Sequence, residues 1–280
     1  MTRQTIIIRT VVTIAILAVL AWILVAGGPW LILPMTLAAI IGLREYFLLA
    51  EALGRPGLTI PGFLFGVAAP AMAWYWGDAG LLAALFGLLV LMGVIQLRRG
   101  VSKEVLDASM STLYGSLLIG GGVACIMLMR NLDPAGFTCR FAGPDGIYWV
   151  LTIALSVSGA DSGGHFFGAN FGRRKLNPIS PNKTVEGALG GISLSILAVL
   201  VGAALFRFGL PIYLLVLIGL VCGLAAVLGD LMESLIKRVA GSKDAGTSLP
   251  GLGGFLDFFD SAFIAFPVVY FLLRLLYGGR

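Results

Sequence analysis

Seven of the fourteen Asp and Glu residues of this 280-residue chain fall in or beside three short stretches of its second half: Asp161, Glu186, Asp230, Glu233, Asp244, Asp257 and Asp260. No cysteine and only one histidine, His165, accompanies them. Oxygen-rich clusters of this kind suit hard cations such as Mg²⁺, because borderline and soft metals favour imidazole and thiolate. Lys and Arg share the same stretches with flexible glycines, a combination that suits phosphate. Together they describe a site where a metal holds a nucleotide or pyrophosphate against a membrane-borne substrate. The three cysteines, Cys125, Cys139 and Cys222, are scattered without metal or disulfide spacing.

Each stretch predicts its own local structure. In residues 159–191, Asp161 ends an apolar segment, and a Gly-rich basic loop follows, kept extended by Pro178 and Pro181. Thr184 then reads as an N-cap, with Glu186 in the first turn of the next helix near its positive end. In residues 229–238 an apolar span runs straight into Asp230 and Glu233. On a continuing helix Asp230, Glu233, Ser234, Lys237 and Arg238 share one face. An i,i+4 ion pair accounts for Glu233 with Lys237. It leaves Asp230, at the end of about twenty apolar residues, needing a cationic partner. In residues 241–261 Lys243 and Asp244 precede a Gly/Pro turn, and Asp257 and Asp260, three apart, stand on one face at the start of the last helix. The helix dipole accounts for one acid there more comfortably than for both.

The elements that must position these residues are membrane helices. The chain is 59% hydrophobic and only 12% charged, about half the charged share of a soluble domain. So few charges cannot cover a water-exposed surface, which excludes soluble, disulfide-scaffold and disordered classes. The net charge of +5 is not gathered into a basic stripe, so nucleic acid is excluded as a partner. Nine apolar segments are long enough, or nearly so, to span a bilayer: about 10–26, 29–43, 59–76, 79–97, 109–129, 146–160, 184–205, 210–229 and 261–277. Arg3 and Arg9 before the first segment resemble a signal peptide. Gly27-Gly28-Pro29 nevertheless leads directly into more apolar sequence without a cleavage site, so this segment is read as a span.

The fold expected is therefore all-α, polytopic, with about nine transmembrane helices. Residues 1–145 form a lipid-facing scaffold and 146–280 the catalytic region. Fourteen of the nineteen Lys and Arg residues lie in alternate loops on the side of the N-terminus. The positive-inside rule puts that side, and all three polar stretches, in the cytoplasm. Arg44-Glu45 and Arg98-Arg99 read as interfacial anchors, and the tryptophans as belt residues. A transport pathway would place its charges nearer the midplane.

The run S-L-I-K-R-x4-K-D-x-G-x2-L-P-G-x-G-G-x-L-D-x-x-D-S, residues 234–261, resembles the signature of the phosphatidate cytidylyltransferases, or CDP-diacylglycerol synthases. The upstream GADSGGHFFG and SPNKTVEGALGG segments are similar to that family too. So are Gly27-Gly28-Pro29 and the LREYF run of residues 43–47. The resemblance extends over nearly the whole chain. It implies the reaction of CTP with phosphatidate to give CDP-diacylglycerol and pyrophosphate in phospholipid biosynthesis. It further implies a Mg²⁺ requirement with room for a monovalent cation such as K⁺, and an inner-membrane enzyme open to the cytoplasm among membrane lipids. A homodimer is left open.

Carried onto this chain, the resemblance makes Asp230 and Asp257 the metal ligands, with Asp260 and Asp244 close by. Lys237 and Lys243 act with them in catalysis. Lys183, Arg238, Thr184, Glu186, Ser234, Asp161, Gly253 and Gly254 are expected to bind substrate. Leu252 stands where the family often has His, and Phe258 where it often has Arg; every acid of the motif is kept. The phosphatidate phosphate, already an anion near neutral pH, would attack the α-phosphorus of CTP in line without a strong base. A single His suffices for such chemistry. The readings set against this one are a CTP-dependent polyprenol kinase, a membrane transporter and an inactive scaffold of the same fold.

Overall fold

The computed structural model describes residues 22–100, 102–132, 145–178, 180–242, 245–246, 248 and 253–278. The expected span at 10–26 lies almost wholly outside them, as do Lys243, Asp244 and Leu252. The described chain is helical apart from one small hairpin, and six of its helices are long and apolar enough to cross a membrane. It is an all-α polytopic membrane protein. Two compact units divide it: residues 1–124 with 240–259, and residues 125–239 with 260–280.

The first unit is built on α1 (Pro29–Ala52), α2 (Thr59–Arg99) and α3 (Lys103–Gly115). Pro29 occupies the first turn of α1, where a missing N–H costs nothing. Leu31, Met35, Ala39, Leu43, Tyr46, Phe47 and Ala50 recur at helical spacing along its buried face. α2 is not one rod. Gly77 breaks it at φ 60°, ψ −141°, a conformation open to glycine and costly for other residues, which leaves two arms matching the expected spans at 59–76 and 79–97. Ser102 caps α3 by accepting from the Val105 N–H at 3.4 Å. A π-helical turn, Ser116–Gly121, and then α4 (Gly122–Arg130) continue the same span.

In the second unit α5 (Asp145–Phe171) runs well past the expected end near residue 160. Asp161 therefore lies within the helix and not at its end, and His165, in the stretch expected to be loop, is helical too. The glycines that suggest a loop make a packing seam here. A Cβ on Gly163 would lie 2.9 Å from the Gly190 carbonyl oxygen and 3.0 Å from the Gly191 Cα, so α5 and α6 (Val185–Phe206) touch backbone to backbone. Small residues allow this approach, the usual device for packing helices in lipid. A buried hydroxyl chain reinforces it: Ser156 and Ser195 lie 2.7 Å apart, and Ser195 donates to the Gly219 carbonyl of α7 (Ile212–Val239) at 2.8 Å.

Between α5 and α6 the Pro-containing segment forms an antiparallel hairpin, β1 (Lys175–Asn177) and β2 (Ser180–Thr184), in which Lys175 is opposite Thr184. Thr184 is the N-cap of α6, as its position predicts, accepting from the Gly187 N–H at 3.1 Å. Glu186 reaches back from the first turn to the N–H groups of Arg173 (3.0 Å) and Arg174 (3.2 Å), which fixes the start of the hairpin. α8 (Phe255–Gly278) is the last helix.

Candidate active site

α7 continues as helix through Val239, so the predicted polar face exists. Asp230 is half-buried and Glu233 is buried at 2% exposure, directly below the apolar part of the span. From α8, Asp260 joins them. One carboxylate oxygen from each of Asp230, Glu233 and Asp260 lies within 4.8 Å of the others. Oxygen ligands at about 2.0–2.6 Å from one hard cation are at most ~5 Å apart, so this donor set fits a divalent ion.

Two lysines balance the acids. Lys183, the penultimate residue of β2, forms an ion pair with Asp230 and donates to the Ser234 hydroxyl at 3.4 Å. Lys237 pairs with Glu233 one turn along α7 at 2.5 Å. The second strand of the hairpin thus carries Lys183 to the α7 face. Nearby, Ser261 donates to the Asp161 carboxylate at 3.1 Å, and its own N–H donates to Asp260 at 2.5 Å. α5, β2, α7 and α8 each contribute a polar side chain to this cluster. Acids interleaved with primary amines can grip a metal and phosphate oxygens side by side.

In the first unit, Asp257 and the glycines before it make a second structure. Gly253 is at φ 96°, turning the chain into α8. Asp257 accepts from the Gly254 N–H at 2.8 Å, a third-residue acid reaching back to the residue before the helix, and also from the Ala245 N–H at 2.9 Å. The dipole argument therefore accounts for Asp257, whereas Asp260 faces other carboxylates. Thr184 serves as the cap of α6 and Glu186 holds the start of the hairpin, as described, and Arg238 is exposed on α7. The expected residues Lys243 and Asp244 lie outside the described part of the chain.

Two acids carry more than their sequence positions suggest. Glu233, accounted for by its pairing with Lys237, also belongs to the carboxylate cluster; its offset of three from Asp230 is the signal. Glu45, read as an interfacial anchor beside Arg44, is instead buried at 1% exposure. Its two carboxylate oxygens accept from the Phe255 N–H (3.0 Å) and the Leu256 N–H (2.7 Å), the first two donors of α8. Arg44 next to it is exposed.

Comparison with known proteins agrees with the motifs. The sequence model of the cytidylyltransferase family matches residues 7–276. A phosphatidate cytidylyltransferase of Staphylococcus haemolyticus is 32% identical over 270 residues, covering 95% of this chain and 98% of its own. That of Staphylococcus epidermidis is 34% identical over the same shares of both chains. The phosphatidate cytidylyltransferase of Bacillus subtilis is 36% identical over 195 residues, 69% of this chain and 67% of its own. The chain belongs to the cytidylyltransferase family.

Proposed function

We propose that the protein is a membrane nucleotidyltransferase that converts CTP and phosphatidate to CDP-diacylglycerol and pyrophosphate. The observation that carries this reading is the cluster of Asp230, Glu233 and Asp260 interleaved with Lys183 and Lys237, in a chain whose relatives are named for this reaction. Those names favour the transferase over the kinase, transporter and scaffold readings.

In the proposed reaction a phosphatidate oxygen forms a bond to the α-phosphorus of CTP, and the bond from that phosphorus to the bridging oxygen breaks, releasing pyrophosphate. Asp230, Glu233 and Asp260 are the residues to hold Mg²⁺, and the resemblance adds Asp257. Mg²⁺ bound there supplies charge neutralisation at the phosphate oxygens. Lys183 and Lys237 offer ammonium groups that orient anionic oxygens, with Ser234 a further hydroxyl beside Lys183. The resemblance adds Lys243 and Arg238 as phosphate partners, and Gly253 and Gly254 as substrate-binding residues in the turn before α8. No general base is required, since the attacking phosphate is already an anion. The single His165 is exposed on α5 and is given no role. Catalysis then rests on positioning and electrostatics. In this reading 146–280 is the catalytic region, and the site opens to the cytoplasm from a bacterial inner membrane.

Purified protein incubated with Mg²⁺, phosphatidate and CTP labelled in the cytidine tests it. A lipid-soluble cytidine product is the expected result. Label recovered in lipid only from the γ-phosphate of CTP would replace the reading with a kinase, and no transfer at all would end it.

A further inference from the structure

Glu45 lies outside every residue set assigned to the reaction above, yet among the described residues it is the most deeply buried acid of the first unit. It stands on α1 among apolar neighbours, Leu43, Tyr46 and Phe47. A carboxylate in such surroundings is costly unless its oxygens are satisfied. Here they are, by two consecutive backbone N–H groups of α8, at Phe255 and Leu256. Asp257 supplies the neighbouring acceptor for Gly254 and, through Ala245, ties in the chain before it.

The fit is close on every side. A Cβ at Gly254 would lie 2.9 Å from Glu45 Oε2, 2.8 Å from Asp257 Oδ2 and 2.7 Å from the Gly246 nitrogen. A Cβ at Gly246 would fall against the Glu45 carboxyl as well, 2.5 Å from Oε1. Gly246 and Gly254 thus leave room for the Glu45 side chain and nothing larger. A helix cap normally comes from the residue before the helix. This one comes from 210 positions away, which pins the turn to α1 and not merely to itself.

We infer that Glu45 is a positioning residue for nucleotide binding: it holds the Gly253-Gly254 turn and the first turn of α8 in the conformation that receives CTP. This rests on the transferase reading. Glu45→Gln keeps the side-chain shape but replaces one acceptor with an NH₂ group facing a backbone N–H. The turn loses one of its tethers while α1 keeps its apolar packing.

The test is steady-state kinetics on the full-length protein in detergent, with thermal unfolding measured alongside. Expected for Glu45→Gln is a KM for CTP raised about tenfold, with kcat within roughly threefold and the KM for phosphatidate unchanged. Glu45→Asp, which withdraws the carboxylate by one methylene, is expected to fall between. A merely structural cap would lower the yield of folded protein without moving one substrate's KM selectively. Unchanged KM for CTP in a folded variant overturns the inference. So does equal loss toward both substrates, or failure of both variants to fold. Wild-type protein inactive in the same assay would instead overturn the transferase reading itself, so the two failures are separable.

Discussion

The ammonium of Lys183, on the second strand of a short hairpin, is paired with the carboxylate of Asp230 near the end of a transmembrane helix. The same nitrogen donates to Ser234 one turn further along, at 3.4 Å. A charge left by an apolar span is thereby answered from an element that has no span of its own.

Lys183→Gln removes both interactions and the proposed phosphate contact. Hydrogen bonds to charged groups are worth about 1.5–3 kcal/mol, so kcat/KM is expected to fall roughly 10- to 150-fold. Lys183→Arg should recover part of the loss, since charge returns without the compact geometry. Initial rates at varied CTP check this; a Gln variant within twofold of wild type would remove Lys183 from the site.

Asp230→Asn and Glu233→Gln should each raise the Mg²⁺ concentration needed for half-maximal activity by about 10- to 100-fold. Asp257→Asn separates two roles for its carboxylate. A ligand would show the same Mg²⁺ shift, whereas a pure cap would show lowered thermal stability at unchanged Mg²⁺ dependence. Titrating activity with Mg²⁺ distinguishes them, and near wild-type turnover of Asp230→Asn at limiting Mg²⁺ would refute the metal assignment.

The glycine seam makes a prediction about stability alone. A Cβ at Gly191 would strike the Ala160 carbonyl oxygen, whereas at Gly164 the nearest atom is 3.9 Å away. Gly191→Ala should therefore cost about 1–3 kcal/mol through overpacking. Gly164→Ala should be neutral or slightly stabilising, since alanine favours helix. Melting temperatures in detergent decide it, and equal effects at both positions would contradict the seam.

Orientation is open to labelling. Lys175→Cys and Asp244→Cys, treated in intact cells and in inverted vesicles with a membrane-impermeant maleimide, should both react only from the cytoplasmic side. Reaction from opposite sides would break the proposal of one cytoplasmic site.

Much of the fold is legible in the amino-acid order, for identifiable reasons. The spans follow from hydropathy because lipid forces each segment to satisfy its own backbone. The shared face of Asp230, Glu233 and Lys237 follows from the 3.6-residue period. The cap at Thr184 follows from local hydrogen bonding, which acts over only a few residues. The end of α5 is different, because the glycines after Asp161 suggest a loop where the chain stays helical. Glycine does weaken an isolated helix. Here the close approach of α6 outweighs that cost, and no local pattern reports a neighbour's backbone.

The residues fixed by distant partners behave the same way. Glu45 looks like an anchor next to Arg44, and only the arrival of Phe255 and Leu256 makes it the cap of another helix. Asp257 and Asp260 look like a pair, yet one binds backbone N–H groups and the other faces Asp230 and Glu233. By itself the amino-acid order determined the class of protein, the local helices, and which residue types are available to hold metal and phosphate, because those follow from composition and short-range periodicity. The tertiary structure alone decided which acids meet, which lysine answers which acid, and which carboxylate is taken up in holding a turn. Such pairings depend on the packing of helices remote in sequence, where a shift of a single helical turn would exchange every partner.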